Sequence, residues 1–347
     1  MGVQTPAATT PDAAMKPRSS AAMRLSVACT VRNEARSIRR LLDSLLSQTV
    51  APTEVIVADG GSQDGTAQIV AEYQQRGQPV RLVAAPEACR GRGRNLAIAA
   101  SRTEWVALID GGCEPDPRWL EELLGVLERA PSCDAVFGIV APITDGLFTE
   151  CVSTASFQAV ALADGRRVMS YSVASVLIRR SAWERLGGFV EGLGTGEDVL
   201  FVERIRRGDL AVRLAPSAVV HWQIPRTLGG VMRRLVHYSY HSLEAGLART
   251  WHVRTCLYTA AALLLATLGA ARSPWWFLLL GGFWLLRALK TISRNDKTAR
   301  GLSAFHPARL LVVGVLLTAM DLATLYGAWR WLIGSRRVHP LRTAPRS

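Results

Sequence analysis

The first 22 residues lack the apolar run that a secretory signal needs, and they are mainly Ala, Thr, Pro and Ser. Such a composition buries too little apolar surface to fold, so we predict a disordered tail over residues 1–22 and no secretory leader. The six cysteines show neither close pairs nor the spacing of a metal site. Several lie in apolar segments, so we predict reduced, buried cysteines and a domain that faces the cytoplasm.

Acidic residues are scarce in the last third of the chain. From Arg226 onward there are 17 Lys and Arg against 3 Asp and Glu, whereas the preceding residues carry 24 against 25. A nucleic-acid-binding protein would carry its basic patch on the folded domain, so this distribution argues against a nucleic-acid partner. The basic residues instead flank apolar runs, which indicates a membrane.

The electrically neutral part alternates strand and helix patterns. Short apolar runs bounded by turn signals predict strands at residues 25–31, 54–59, 80–85, 105–110, 134–140, 173–178 and 219–222. Helical patterns separate the first four and follow the fourth, as expected of a mostly parallel sheet with right-handed crossovers. Residues 141–170 show no clear pattern.

Charged and polar side chains stand where these strands end, and open α/β sheets bind ligands at that edge. They are Asn33 and Glu34, Asp59, Arg90 and Arg94, and Asp110. Carboxylates accept hydrogen bonds from a base or ribose or hold a divalent cation, and guanidinium groups match phosphate oxygens. Each residue alone is explained as well by a turn cap or a solvated loop. Their combination suits a nucleotide diphosphate, with or without a metal ion.

Four segments, residues 30–34, 57–66, 93–95 and 108–113, resemble in order and spacing the signatures of family 2 glycosyltransferases. The resemblance runs from about Ser26 to His221. It implies the A-type, Rossmann-like nucleotide-diphospho-sugar transferase fold and an inverting hexosyltransferase-type enzyme of class EC 2.4. The implied nucleotide-sugar-binding residues are Thr30, Asn33, Glu34, Asp59, Arg90, Arg94, Asp110 and Gly111. Of these, Asn33, Glu34 and Asp59 would lie by the base and ribose and Arg94 by the diphosphate.

The chain departs from the family's D-x-D metal motif, because Gly112 stands where the second aspartate would fall. One carboxylate holds Mg²⁺ or Mn²⁺ less well than two, but Mg²⁺ is often bound by one or two carboxylates plus substrate phosphates. We therefore expect Mg²⁺ or Mn²⁺ on Asp110. His221 resembles a metal or diphosphate ligand of this fold and is the second expected ligand, although a lone histidine is more often structural. We expect Glu114 and Asp116 to cap the turn or face water.

A glycine-rich loop over residues 192–196 delivers Glu197 and Asp198 to the start of a helix. The resemblance implies that Asp198 is the base that deprotonates an acceptor hydroxyl, and we expect Glu197 to support it. Both acids also fit the ordinary preference of helix N-termini for negative charge. A lipid phosphate acceptor is already anionic, so Asp198 would then only orient it or bind metal.

The C-terminal third predicts membrane association. Residues 226–250 fit an amphipathic helix in the membrane interface, although an ordinary helix packed on the domain fits nearly as well. Apolar runs at residues 256–271, 275–289 and 310–333 predict a transmembrane region of two to three helices over residues 251–335, followed by a basic tail over residues 336–347. The basic loop 287–309 indicates the cytoplasmic side. Asp321 is costly if it faces lipid, so the third run is either re-entrant or turns Asp321 toward other helices.

These patterns predict a glycosyltransferase domain over residues 23–225 on the cytoplasmic side of the cell (inner) membrane, in a multi-pass protein. Its partners would be a nucleotide-diphospho-sugar donor and a lipid-linked or membrane-proximal glycan acceptor of the cell envelope. A catalytically degenerate sugar-nucleotide-binding scaffold is the alternative, because of Gly112. A nucleotidyltransferase would need a glycine-rich loop with Lys after the first strand, and a processive synthase would need a Gln-x-x-Arg-Trp signature after Trp222; the sequence has neither.

Overall fold

The computed structural model describes residues 23–156, 160–161, 167–168, 171–247, 252–295 and 304–334. The predicted tails over residues 1–22 and 336–347 lie outside the described residues. The first half comprises β1 (Leu25–Val31), α1 (Ile38–Leu46), β2 (Glu54–Asp59), α2 (Thr66–Gln75), β3 (Val80–Ala84), α3 (Arg90–Ala99), β4 (Trp105–Asp110), β5 (Cys113–Pro115), α4 (Trp119–Arg129) and β6 (Ala135–Ile143).

The second half continues with a short hairpin and the C-terminal helices. Its elements are α5 (Leu147–Ser156), β7 (Val160–Ala161), β8 (Arg167–Val168), β9 (Val176–Arg179), α6 (Arg180–Arg185), α7 (Glu197–Arg207), β10 (Val212–Gln223), α8 (Leu228–Glu244), α9 (His252–Ala271), α10 (Trp275–Asn295) and α11 (Pro307–Gly334).

One eight-stranded sheet in the order β3-β2-β1-β4-β9-β6-β10-β5 forms the centre of the domain. Its pairs are parallel except where β9 lies between β4 and β6 and where β5 closes the edge beside β10. The predicted mostly parallel sheet is therefore confirmed. Every residue of β2 is buried, as expected of a parallel strand covered on both faces.

Helices cover both faces of this sheet. In α1 the buried side chains Ile38, Leu41, Leu42 and Leu45 recur at helical spacing and pack, with those of α4, on one face. On the other face α3 and α7 contribute Ile98 and Phe201. Each fully buried aliphatic or aromatic side chain stabilises the fold by about 1.5–3 kcal/mol, so this three-layer packing fixes the strand ends that carry the polar residues.

Several elements differ from the sequence prediction, and three of them show why. Helix α5 lies in the segment that gave no pattern, and its buried face is mostly Thr, Cys and Ser rather than aliphatic. Strand β5 has three residues, too few to show a periodicity. Strand β9 begins at Val176 rather than residue 173 and is antiparallel, because it follows a crossover that apolar patterning alone does not orient.

The cysteines are free, as predicted, but not all are buried. Four are buried, Cys89 is half-buried, and Cys256 is exposed on α9. The prediction of burial was wrong for Cys256, because α9 is an apolar helix that leaves residues exposed, whereas an apolar strand of the sheet would bury them.

Helices α9, α10 and α11 are each long and apolar enough to cross a membrane. The carboxylate of Asp321 on α11 accepts from Nη1 of Arg287 on α10 at 2.6 Å, and both side chains are largely buried. The guanidinium of Arg287 also lies 4.3 Å from the ring centroid of Tyr258 on α9. Asp321 therefore faces the other helices, one of the two arrangements that the sequence left open.

Helix α8 packs along α11 and touches the start of α9. A Cβ on Gly327 would lie 2.6 Å from the carbonyl oxygen of Val236, so the two backbones approach closely. Between them Ser239 Oγ donates to the carbonyl of Thr324 at 2.7 Å and lies 2.9 Å from Nε2 of His252. Helix α8 is thus a packed helix of the C-terminal bundle.

The bundle is fastened to the sheet domain through α5. Asn295, at the end of α10, donates to the carbonyl of Thr154 at 3.1 Å, and Arg309, near the start of α11, lies 3.7 Å from the carboxylate of Glu150. A small apolar cluster joins α5, α8, α10 and α11 around Val152, and it includes Leu316. The facing ends of α10 and α11 therefore lie on the domain side of the bundle.

Two glycines predict opposite effects of an added methyl group on stability. Gly138, on β6, would place a Cβ 2.2 Å from Ser175 Oγ and 2.5 Å from the carbonyl of Ala218, so Gly138→Ala is expected to destabilise the fold by about 1–3 kcal/mol. Gly125, inside α4, has its nearest neighbour, Arg129 Nη1, at 3.6 Å, so Gly125→Ala is expected to stabilise by about 0.5–1 kcal/mol.

Thermal unfolding of the detergent-solubilised full chain measures both changes. An unchanged or higher melting temperature for Gly138→Ala would contradict the packing at the centre of the sheet.

Candidate active site

The parallel register brings the predicted polar residues to one edge of the sheet. Thr30 at the end of β1 pairs with Asp110 at the end of β4, and Val31 pairs with Asp59 at the end of β2. Three strand ends therefore open onto one rim. The side chain of Asp59 is buried, whereas that of Asp110 retains 39% of its exposure.

The loops after β1 and β2 are joined by their own side chains. Asn33 takes φ +58°, which lets its amide N–H donate to Ser62 Oγ at 2.8 Å while its Oδ1 accepts from the Gln63 amide at 2.8 Å. The same Ser62 donates its hydroxyl and its amide to the carboxylate of Asp59. Asn33 and Asp59 are thus both oriented through Ser62, which the sequence analysis did not single out as a site residue.

A second set of hydrogen bonds joins the same two loops. The amide of Glu34 donates to Thr66 Oγ1 at 2.8 Å, and the carboxylate of Asp64 accepts from the Thr66 hydroxyl and from the Ala35 amide. These bonds, that from Thr66 first, hold the pKa of Asp64 below its ordinary value. This role of Asp64 and Thr66 between the two loops has no local sequence signal.

Arg94 connects the rim to the glycine-rich loop. Its Nη2 donates to Asp110 Oδ1 at 2.7 Å, and its Nη1 donates to Glu197 Oε1 at 2.5 Å. The guanidinium lies 5.4 Å from the ring centroid of Phe189. Arg94 and Glu197 are 103 positions apart in sequence, and their side chains are only 6% and 2% exposed. The structure therefore brings Arg94, Asp110 and Glu197 together as one buried chain of charges.

Burial and neighbouring charges have opposite effects on the pKa values of Arg94 and Glu197. Burial alone would lower the pKa of Arg94, but the carboxylates of Asp110 and Glu197 hold that pKa above its ordinary value. Burial raises the pKa of Glu197, and the neighbouring Arg94 opposes that rise. Within the described residues, Oε2 of Glu197 is buried without a hydrogen-bond partner. Arg94 thus stays charged and fixes one oxygen of each carboxylate.

Glycines allow the elements around this rim to approach closely. A Cβ on Gly93 would lie 2.3 Å from Thr30 Oγ1, and one on Gly91 would lie 2.2 Å from the carbonyl of Val190. Gly111 would place its Cβ 2.9 Å from Val31 Cγ1. Side chains at these positions would push α3 and the rim apart.

The N-terminus of α3 forms the basic side of the rim. Arg90, the first residue of α3, is exposed, and a helix N-terminus attracts anions. Asn95, in the segment 93–95, holds the segment around Phe189: its amide donates to the carbonyl of Phe189 at 2.9 Å and accepts from the Phe189 amide at 2.8 Å. Arg90 is therefore placed for an anion, whereas Asn95 is structural.

The loop that precedes Asp198 lies against α8. Gly196 adopts φ +92° at the N-cap of α7, and a Cβ on Gly194 would lie 2.4 Å from the ring of His241. Burial, and then the charges of His241 and Arg90, lower the pKa of His237 on the same helix. Helix α8 therefore separates the glycine-rich loop and the basic side of the rim from the rest of the C-terminal bundle.

His221 lies on the edge pair of strands. Its partner across β10 and β5 is Glu114, and its Nε2 is 2.7 Å from Asp116 Oδ1. Glu114 in turn lies 3.2 Å from Arg40. Among the described residues Asp116 is the hydrogen-bond partner of His221.

The residues present fit a divalent cation that substrate completes. No group of three or more His, Cys, Asp or Glu side chains in the described ranges is arranged to hold a metal ion. Asp110 offers one half-exposed carboxylate, and a Cβ on Gly112 beside it would meet nothing within 4 Å. Because phosphate oxygens can supply the other ligands of Mg²⁺, one carboxylate beside open space is compatible with a metal–diphosphate complex.

The sheet order and the acidic and basic strand ends define an A-type nucleotide-sugar transferase fold. Over 91% of this chain and 90% of the other, the structure resembles the mannosyltransferase PcManGT from Pyrobaculum calidifontis, solved with GDP-Man and Mn²⁺, at a TM-score of 0.50 and 21% identity. This likeness confirms the predicted fold class.

The family follows from the sequence of the same domain. Residues 26–187 match the model of the family described as Glycosyl transferase family 2. Over these residues the chain is similar to glycosyltransferase family 2, the family that the four motifs predicted.

Two curated relatives are glycosyltransferases by name. Glycosyltransferase AglE of Haloferax volcanii is 29% identical over 200 residues, which is 56% of this chain and 65% of the relative. Pre-mycofactocin glycosyltransferase of Mycobacterium tuberculosis is 31% identical over 211 residues, 56% of this chain and 42% of the relative. The alignments thus span about half of this chain and from two fifths to just under two thirds of each relative.

The contact between Arg94 and Glu197 predicts that substitutions of these two residues have non-additive effects on stability. Arg94→Met leaves Glu197 buried without its cation and is expected to lower the free energy of unfolding by about 3–5 kcal/mol. Adding Glu197→Gln removes the stranded charge, so the double variant should be more stable than Arg94→Met alone. Denaturant unfolding of the full chain measures the cycle, and strict additivity would contradict the coupling.

The open space at Gly112 predicts that the missing carboxylate can be supplied. Gly112→Asp should fold normally and strengthen Mn²⁺ binding in the presence of UDP, GDP or dTDP by roughly tenfold, because a second anionic ligand joins Asp110. Calorimetric titration of Mn²⁺ measures the change. Gly112→Ala is the control, and an equal gain in that variant would show that added charge is not the cause.

Proposed function

We propose that this protein is a membrane-anchored glycosyltransferase that moves a sugar from a nucleotide-diphospho-sugar to a lipid-linked or membrane-proximal acceptor. The observation that carries the proposal is the Asp110–Arg94–Glu197 chain, which connects the family's donor rim to the loop that bears Asp198. The names of the curated relatives support sugar transfer. The GDP-Man of the archaeal mannosyltransferase supports a nucleotide-sugar donor.

The donor would lie along the rim with its base toward Asn33 and Asp59. The two loop junctions support this placement, because they fix both side chains before any ligand arrives. The diphosphate would then reach the N-terminus of α3, where Arg90 and the helix amides favour negative charge. Arg94 is buried between carboxylates, so its role would be to orient Asp110 as well as to balance phosphate charge.

Asp110 is the residue that would hold a divalent cation, with phosphate oxygens as further ligands. A cation bound there neutralises the charge that the departing diphosphate gains. His221 remains a proposed second ligand, and its bond to Asp116 would have to be exchanged or shared.

Asp198 would act as the catalytic base at the start of α7. Its carboxylate takes the proton of the acceptor hydroxyl as that oxygen bonds to the anomeric carbon, and the bond from this carbon to the diphosphate oxygen breaks. The nucleoside diphosphate leaves with the electron pair, and attack opposite to it inverts the anomeric centre. Glu197, held by Arg94, would fix the loop that positions Asp198.

The catalytic domain would lie on the cytoplasmic side of the cell (inner) membrane, in a multi-pass protein. Three helices long and apolar enough to cross a membrane support this placement. The end of α10 and the start of α11 contact the domain, and the basic segment 287–309 includes both, in accord with a cytoplasmic loop. The alternative, a sugar-nucleotide-binding scaffold, is favoured by Gly112 alone.

The proposal predicts donor turnover that depends on Asp110 and Asp198. Membranes containing the full chain are supplied with UDP-, GDP- and dTDP-sugars, with Mg²⁺, Mn²⁺ or EDTA, and transfer or hydrolysis is measured. We expect turnover of one donor, and losses of about 100-fold or more in Asp110→Asn and Asp198→Asn, since positioned acid–base groups contribute 10²–10⁴-fold.

Asp209→Asn is the matched control, because Asp209 is exposed just past the other end of α7. Turnover that survives EDTA would remove the cation from the mechanism. Nucleotide binding without turnover of any donor, with membrane lipid extracts as acceptors, would favour the scaffold.

A further inference from the structure

A cavity of about 910 Å³ lies between the catalytic domain and the C-terminal helices. Helices α5, α8, α9, α10 and α11 and the end of β10 form its walls. Its volume is within the range of small-molecule sites. None of the proposed donor-binding residues lines this cavity.

The walls of the cavity carry a large excess of positive charge. The cations are Arg234, Arg254, Arg287, Lys290 and Arg294, and within the described residues Asp321 is the acid that lines it. Asp321 is already paired with Arg287. The other four cations have no carboxylate partner in the part of the chain that the structure describes. A cavity with this balance calls for an occupant that carries more than one negative charge.

The position of the cations specifies where that negative charge would lie. Arg254 is in the first turn of α9, and Lys290 and Arg294 are in the last turns of α10. The end of α10 lies beside the catalytic domain, since Asn295 contacts α5, and the start of α9 contacts α8 through His252. Phosphate groups of a bilayer lie at this boundary between apolar helix and aqueous domain.

The same cavity has an apolar side. Trp222, Ile224, Leu235, Leu317 and Met320 line it, and Arg234 stacks on Trp222 with its guanidinium carbon 4.0 Å from the ring centroid. A free phosphate or a soluble nucleotide has no hydrocarbon to match this apolar side. An occupant with a phosphorylated head and a hydrocarbon tail matches both sides.

The cavity adjoins the proposed catalytic residues. Val199, which lines it, directly follows Asp198, and Trp222 directly follows His221. Helix α8 borders both spaces, because Tyr238 lines the cavity while His241 packs on the glycine-rich loop. An occupant held here would have its head group beside the end of the donor rim.

We infer that this cavity binds the phosphate or diphosphate head group of a long-chain lipid acceptor. The inference rests on the proposed function, whose acceptor class it narrows. Arg254, Lys290 and Arg294 hold the phosphate oxygens by charge-assisted hydrogen bonds. The hydrocarbon chain leaves along the exposed apolar faces of α9 and α10, which carry Leu257 and Leu286.

Binding of a radiolabelled long-chain polyisoprenyl phosphate to the full chain in mixed micelles tests the inference. The corresponding polyisoprenol and inorganic phosphate serve as competitors. We expect saturable binding that neither competitor displaces at concentrations where unlabelled polyisoprenyl phosphate does. Equal competition by polyisoprenol would overturn the role of the cations, and equal competition by inorganic phosphate would overturn the lipid.

Charge-removing variants locate the site. Lys290→Gln with Arg294→Gln is expected to weaken binding at least about tenfold, since two charge-assisted hydrogen bonds are lost. The matched control, Arg272→Gln with Arg330→Gln, removes two exposed cations outside the cavity and should bind like the parent. Equal weakening in both pairs, or in neither, would contradict the assignment.

Two further measurements distinguish a failure of the inference from a failure of the proposed function. Lys290→Arg with Arg294→Lys keeps both charges, so it should retain binding within a few-fold, which a merely structural role would not require. UDP, GDP and dTDP are titrated into every variant. Nucleotide binding without polyisoprenyl phosphate binding refutes the inference alone, whereas lipid binding without any nucleotide binding refutes the proposed function.

Discussion

The structure depends on one buried cation. Arg94 comes from the helix after β3, and it bonds to a carboxylate at the end of β4 and to another at the start of α7. Three parts of the chain that are distant in sequence meet at this guanidinium. Arginine suits the position because its planar, permanently charged group can serve two carboxylates in fixed directions. A rigid centre of this kind keeps the strand-end rim and the glycine-rich loop in a constant relation, which the proposed catalysis by positioning would require.

Helix α8 connects the glycine-rich loop to the C-terminal bundle. One part of α8 packs on the glycine-rich loop through His241, and another packs on α11 through Ser239. The wall of the active site is therefore also an element of the helical bundle. Its basic and aromatic residues, which resembled an interfacial helix in sequence, contact the protein: Arg234 stacks on Trp222 and donates to Tyr238. Amphipathic patterning cannot separate a helix that faces lipid from one that faces a neighbouring helix, because both present one apolar side.

Much of the sheet could be predicted from sequence, because the parallel strands are continuous apolar runs that end on polar residues, as β2 does at Asp59. The rim followed from the rule that such strands open at the same edge. Helix α5 could not be predicted, because Thr, Cys and Ser fill its buried face. The contact of Arg94 with Glu197, and that of Arg287 with Asp321, join residues whose proximity is set by tertiary packing. Ser62 likewise has no pattern that distinguishes it from an ordinary turn residue.

The contacts of Asn295 and Arg309 with α5 have a mechanical consequence. An enzyme joined to its membrane helices by a free linker samples many heights above the bilayer. Here the facing ends of two apolar helices contact the catalytic domain itself. The fold therefore fixes the position of the domain relative to these helices. Under the proposed function, such a domain would serve reactive groups at one depth in the membrane, and a product extended by one sugar would have moved its new end beyond that depth.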